Sequence, residues 1–260
     1  MNGKNLRLKR IISPVDGRTV IFPLDHGVSR GPIEGLERIE RAIETGIRAG
    51  ADALVLHKGM MRWLEAFPGP VPGVIMHLSA STSMGPSFYH KVLVGGVEEA
   101  VRRGADAVSV HINLGDPMEP EMLRDLGRVG YSCCDWQVPL LVMAYVSANR
   151  RPLSCGPDIA HSARLAAELG ADIIKIPFPE DYDLLATLTA GLPVPVVMAG
   201  GAPPGKTAQL LQRVQKSMEA GVRGIAAGRS IFQHSNPAAV LAAIRAIVHE
   251  GAPAEKFADL

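Results

Sequence analysis

Gly170-Ala171-Asp172-Ile173-Ile174-Lys175-Ile176-Pro177 places a glycine, a β-branched apolar run and a proline in eight consecutive positions. A glycine just past a helical pattern suits the left-handed residue that ends a helix, and isoleucines bounded by proline suit a strand buried on both faces. The triplet recurs as Gly50-Ala51-Asp52 and Gly104-Ala105-Asp106, each time between a helical pattern and an apolar run. The spacing is uneven, so these are αβ turns and not units of a solenoid. Outward from them, eight apolar runs are present: Thr19 to Leu24, Ala53 to His57, Gly73 to Leu78, Ala107 to Ile112, Pro139 to Tyr145, Asp172 to Ile176, Val194 to Ala199 and Gly224 to Ala227. Between the first two, Ile33, Leu36, Ile39, Ile43 and Ile47 recur at intervals of three and four, which predicts one helix from 33 to 47. Near the end, Asn236 can cap a helix opening at Pro237, with Val240, Leu241, Ile244, Ile247 and Val248 on its apolar face.

Eight strands alternating with helices match a (β/α)8, or TIM, barrel, expected here as one domain over residues 1–260. The rival is an open doubly wound sheet. No Gly-x-Gly-x-x-Gly follows the first run, and polar residues stand at the C-terminal ends of nearly all eight runs instead of at one switch point.

Lys and Arg number 27 against 26 Asp and Glu, which leaves no basic footprint for nucleic acid and no cationic face for a membrane. No apolar run approaches the roughly 20 residues needed to span a bilayer, and no apolar core follows the basic N-terminal residues Lys4, Arg7, Lys9 and Arg10. Three cysteines, two of them the adjacent Cys133 and Cys134, make neither a disulfide framework nor a C-x-x-C zinc site. A reducing, cytoplasmic setting is expected.

In a barrel the strand ends converge on one mouth. Read in order they supply Asp25 and His26, His57 and Lys58, His77, His111 and Asn113, Tyr145, Lys175, Gly200 and Gly201, then Gly228 and Arg229. Lys175 puts an amine inside a run otherwise suited to full burial. Burial penalises the ammonium form and makes a free amine available to attack a ketone as a Schiff-base nucleophile. Two alternatives stand beside it: the lysine snorkels to solvent, or it pairs with a substrate phosphate. Asp25 can orient the lysine or pass protons during carbinolamine dehydration, and Tyr145 can give and take the proton of the reacting hydroxyl. His26 and Lys58 are candidate substrate contacts. Gly200, Gly201, Gly228 and Arg229 follow the last two runs, where this architecture often binds phosphate, and a short helix from Ser230 to His234 can aim its N-terminus there. Gly205-Lys206-Thr207 lacks the first Walker glycine. His57, His77 and His111 leave a zinc-dependent alternative open.

The segments Ile21-Phe22-Pro23-Leu24-Asp25-His26-Gly27-Val28-Ser29-Arg30-Gly31-Pro32, Leu56-His57-Lys58-Gly59, His77-Leu78-Ser79, Gly104 to Asn113, Ala199-Gly200-Gly201 and Gly228-Arg229-Ser230-Ile231-Phe232-Gln233 resemble the archaeal-type class I aldolases. The resemblance runs over nearly the whole chain. It implies a barrel with a Schiff-base lysine at Lys175, an acid/base tyrosine at Tyr145, an acid/base aspartate at Asp25 and phosphate binding near Gly200, Gly201, Gly228 and Arg229. It also implies phosphorylated keto-sugar and aldehyde substrates, no metal or organic cofactor, and a homo-oligomer. Two stretches depart from the family pattern. Tyr145 is followed by Val146-Ser147-Ala148, with Arg150 and Arg151 later, where relatives usually have Pro-Arg-Gly. Phe178-Pro179-Glu180-Asp181 follows the lysine strand where Thr-Gly-Asp is frequent.

Overall fold

The computed structural model describes residues 2–147, 156–201 and 207–260. Its strands are β1 (Thr19–Pro23), β2 (Ala53–Leu56), β3 (Gly73–His77), β4 (Ser79–Ala80), β5 (Val92–Leu93), β6 (Ala107–Leu114), β7 (Leu140–Val146), β8 (Ile173–Pro177), β9 (Val196–Ala199) and β10 (Gly224–Ala226). Eight of them close a parallel barrel in the order β1-β10-β9-β8-β7-β6-β3-β2, while β4 and β5 form a separate antiparallel hairpin. The helices are α1 (Gly3–Leu8), α2 (His26–Arg30), α3 (Ile39–Arg48), α4 (Arg62–Glu65), α5 (Val97–Arg102), α6 (Glu119–Asp135), α7 (Gly156–Glu168), α8 (Tyr182–Gly191), α9 (Thr207–Glu219), α10 (Arg229–Phe232) and α11 (Pro237–Glu250). Among the described residues no helix is long and apolar enough to cross a membrane.

Alternation along each strand divides the core in two. Phe22, Leu54, Met76, Val110, Val142, Ile174 and Met198 point outward into the shell between sheet and helices. Ile21, Val55, Ile75, Ala107, Leu141, Met143, Ile173 and Val197 fill the lumen. Both faces are therefore apolar, which is why the strands read as continuous runs. Ile11 joins the lumen cluster from below, where Gly73 lets the N-terminal segment cross: a Cβ there would sit 2.3 Å from the Arg10 carbonyl oxygen.

The Gly-Ala-Asp triplets serve this lower end. Gly50, Gly104 and Gly170 hold φ values of 81°, 79° and 95°, the left-handed region that ends a helix. Each following aspartate clamps one residue of a neighbouring strand. The Asp52 N–H donates to the Val20 carbonyl and its carboxylate accepts the Val20 N–H at 2.6 Å; Asp106 does the same with Val74, and Asp172 with Leu140. The carboxylates then pair with His249 (2.8 Å), Arg10 (2.6 Å) and Lys4 (3.0 Å) respectively.

The predicted single helix over 33–47 is corrected. The helix α3 starts only at Ile39, and Ile33 and Leu36 lie in turns. Gly35 stands at φ 81° against the Phe232 carbonyl, where a Cβ would approach within 2.0 Å, so this tight approach breaks the helical path although Leu36 stays buried. The cap at Asn236 is present, its side chain accepting from the Ala239 N–H at 3.2 Å, with Pro237 opening α11.

Candidate active site at the barrel mouth

Lys175 lies on the lumen-facing stripe of β8, one pleat above Ile173, and is 7% exposed. Burial lowers its pKa, the Asp25 charge raises it in part, and Arg229 lowers it further. Its Nζ has no hydrogen-bond or ion-pair partner among the described residues. The strand order sets Tyr145 on the adjacent β7 and Asp25 just beyond β1, across the lumen. Burial raises the Tyr145 pKa, so the phenol is protonated at neutral pH.

Asp25 is ringed by imidazoles. His26 Nδ1 is 3.6 Å from one carboxylate oxygen and His77 Nε2 is 3.8 Å from the other. Burial opposes its ionisation, yet the facing His26, His77, Lys175 and His57 hold its pKa below the ordinary carboxylate range. Burial depresses His26 to about 4 and His77 to about 3, against the partial support of Asp25. Both are neutral near pH 7. His77 Nδ1 is 2.8 Å from Ser109 Oγ, His57 meets His77 edge-on at 5.2 Å, and His111 stacks on Tyr145. Among the described residues no group of three or more His, Cys, Asp or Glu is arranged to hold a metal ion.

The glycines on the far side have separate structural reasons. A Cβ on Gly228 would lie 2.6 Å from His26 Cε1 and 2.7 Å from the Pro23 carbonyl oxygen, and one on Gly200 would lie 2.6 Å from Ala227 Cβ. Gly201 adopts φ 74°. Ser230 Oγ donates to the Gly200 carbonyl at 3.0 Å, tying the two loops together. Arg229 is half-buried, and its Nε has no partner among the described residues. Asp25 Oδ1 and His26 Nδ1 are likewise buried without a hydrogen bond, an arrangement expected where a polar ligand completes the site.

Lys58 is placed differently from the other candidates. Its Nζ pairs with Glu99 at 3.2 Å on the rim of a cavity of about 810 Å³ that opens beside Asp25 and His57, walled mainly by apolar residues such as Val28, Met60 and Trp63. Arg150, Arg151 and Lys206 lie outside the described residues. The sequence reading missed Lys91, Arg30, Ser109 and Phe88. Lys91 is buried at the hairpin, and the single cue to it is a lysine after Phe88-Tyr89-His90 in a loop of small residues.

Residues 19–234 match the DeoC/LacD family aldolase profile. The 2-amino-3,7-dideoxy-D-threo-hept-6-ulosonate synthase of Halobacterium salinarum is 39% identical over 253 residues, covering 97% of this chain and 94% of that protein. The 2-amino-4,5-dihydroxy-6-oxo-7-(phosphonooxy)heptanoate synthase of Streptomyces griseus is 36% identical over 247 residues, covering 95% and 90%. Among solved structures, an archaeal fructose-1,6-bisphosphate aldolase whose catalytic Lys is covalently bound to a carbinolamine superposes with a TM-score of 0.85 at 28% identity, covering 95% of this chain and 99% of that one. A closed parallel barrel with a lysine buried in its lumen, matched along most of its length by aldolases, makes this chain a member of the DeoC/LacD aldolase family.

Proposed function

We propose that the protein is a Schiff-base-forming class I aldolase or transaldolase of the heptulosonate-synthase type. In this reading it moves a three-carbon ketone unit from 6-deoxy-5-ketofructose 1-phosphate to L-aspartate semialdehyde, in a route into aromatic amino acid biosynthesis. The observation that carries it is the unpartnered Lys175 amine on the lumen stripe of β8. Its lone pair attacks the donor ketone, and the carbonyl oxygen takes up a proton. Water leaves the carbinolamine with a proton relayed by Asp25. The iminium then accepts the electron pair of the breaking carbon–carbon bond while the hydroxyl proton passes to the Tyr145 oxygen, whose own phenol proton moves to water at the mouth, releasing an aldehyde and leaving an enamine. The enamine carbon attacks the acceptor aldehyde, Tyr145 returns the proton to the new alkoxide, and water frees Lys175. Gly200, Gly201, Gly228 and Arg229 hold the donor phosphate, with His26 beside them; the buried Arg229 Nε supports this. Lys58, neutralised by Glu99, has a lesser part at the rim. A cytoplasmic homo-oligomer completes the reading.

Borohydride with a panel of phosphorylated ketoses tests it: a reduced adduct on Lys175 is expected, and adducts mapping repeatedly elsewhere refute it. A second reading comes from the Streptomyces relative, whose named product keeps a phosphate that the heptulosonate lacks. Product mass with each donor separates the two, and cleavage of fructose 1,6-bisphosphate is assayed alongside.

A further inference from the structure

The β4–β5 hairpin and α2 bring two cations to one aromatic ring. Lys91 Nζ lies 4.4 Å from the Phe88 ring centroid and Arg30 Cζ lies 5.4 Å from it. Lys91 is 7% exposed, and its ammonium donates to Ser81 Oγ, whose hydroxyl in turn donates to the Phe88 carbonyl at 2.8 Å. The Ser83 N–H donates to the Ser29 carbonyl at 2.9 Å, so the hairpin loop is tied to α2 beside Arg30. Lys91 is buried next to the barrel mouth, where Asn113 at the end of β6 holds the Tyr89 carbonyl of the same loop at 2.6 Å. Two positive groups sharing one ring repel each other, and Lys91 meets that repulsion from a buried position while Arg30 approaches the ring from the exposed side.

Neither has a carboxylate partner among the described residues, and the segments outside them contain no Asp or Glu. Arg229 and Lys175 are equally unpaired, whereas Lys58 is matched by Glu99. The mouth thus carries Lys91, Arg30, Arg229 and Lys175 against Asp25. One donor phosphate beside Arg229 leaves the Lys91 end unmatched.

We propose that Lys91 and Arg30, gathered at Phe88, form a second anion-binding position that selects acceptor aldehydes carrying a carboxylate or a phosphate. This rests on the aldol reading above and assigns its acceptor end. A buried ammonium with a hydroxyl partner still has donors to spare for an anion, and Arg30 supplies a forked second contact.

The test uses the whole protein with three acceptors: succinic semialdehyde for a carboxylate, glyceraldehyde 3-phosphate for a phosphate and propionaldehyde as the neutral control. In Lys91→Met, KM for the favoured anionic acceptor is expected to rise about tenfold or more. KM for propionaldehyde stays unchanged, and Lys91→Arg restores most of the selectivity. Whichever anionic acceptor responds identifies the group. Borohydride trapping of the donor on Lys175 stays at the unaltered level in both variants, and thermal melting checks that they fold. Equal losses with neutral and anionic acceptors, or lost donor trapping, overturn the assignment. A chemistry-free arm keeps it testable should Lys175 form no imine: glucitol 1,6-bisphosphate is expected to bind about tenfold tighter than glucitol 1-phosphate, which lacks the acceptor-end phosphate. That advantage vanishes in Lys91→Met and survives in Lys175→Ala; an advantage that Lys91→Met leaves intact refutes the subsite.

Discussion

The His111 imidazole stacks on the Tyr145 phenol, with centroids 4.8 Å apart and 23° between the planes. Burial first, then Lys91 and His77, hold His111 well below its ordinary pKa, so a neutral ring lies against the phenol. Asn113 Nδ2 donates to the Tyr89 carbonyl at 2.6 Å, which leaves Asn113 Oδ1 to accept from His111 Nε2 at 3.2 Å. The hairpin loop therefore fixes the tautomer of the ring that positions Tyr145. Removing the stack in His111→Leu is expected to cost about tenfold in turnover, while donor trapping on Lys175 persists. Tyr145→Phe is expected to cost about a hundredfold or more with trapping again intact. Single-turnover rates beside adduct yields check both.

Asp25 sets the availability of the nucleophile. Its charge raises the Lys175 pKa against the effect of burial, so Asp25→Asn is expected to drop that pKa further. The acid limb of the pH profile for imine formation then moves to lower pH even as turnover falls. Adduct yield measured between pH 5 and 9 reads the shift, and an unmoved limb contradicts the coupling.

The lower rim carries a pH-dependent contribution to stability. Hydrogen bonding to Asp52, opposed by burial and aided by Asp16, raises the His249 pKa, with Nδ1 2.7 Å from Asp16 and Nε2 2.8 Å from Asp52. A raised folded-state pKa means the contribution is complete below the unfolded value of about 6.5 and is lost as pH rises through the folded one. His26 and His77, depressed to about 4 and 3, act with the opposite sign. Their contribution is present above about pH 6.5 and is lost as pH falls towards those values. Urea midpoints for His249→Gln are expected to be flatter than wild type on the alkaline side and unchanged in slope on the acid side.

Gly228 is a packing requirement as well as a candidate phosphate neighbour. Gly228→Ala drives a methyl into His26 and the Pro23 carbonyl. A loss of about 1–3 kcal/mol is expected from overpacking, read by denaturant unfolding. A fully stable variant would mean that the strand and the imidazole can separate.

The barrel strands are legible because each is apolar on both faces, and β8 announces its lysine by interrupting such a run. What stays hidden is set by distant backbone. The break at Gly35 depends on a carbonyl nearly two hundred residues later, at Phe232, and the period of Ile33, Leu36 and Ile39 carries no trace of it. The aspartates of the Gly-Ala-Asp triplets read as turn residues, yet each carboxylate bonds a strand N–H thirty-two positions earlier. Lys91 and Arg30 escape for the same reason: the hairpin return brings them to one ring, and nothing local marks the encounter.

With Ile11 lodged in its floor and apolar side chains packed above it, the lumen leaves the mouth as the doorway to Lys175. Under the proposed reaction a departing fragment and an arriving one have to queue for that doorway. Such traffic yields parallel double-reciprocal plots, each substrate slowing the other when in excess.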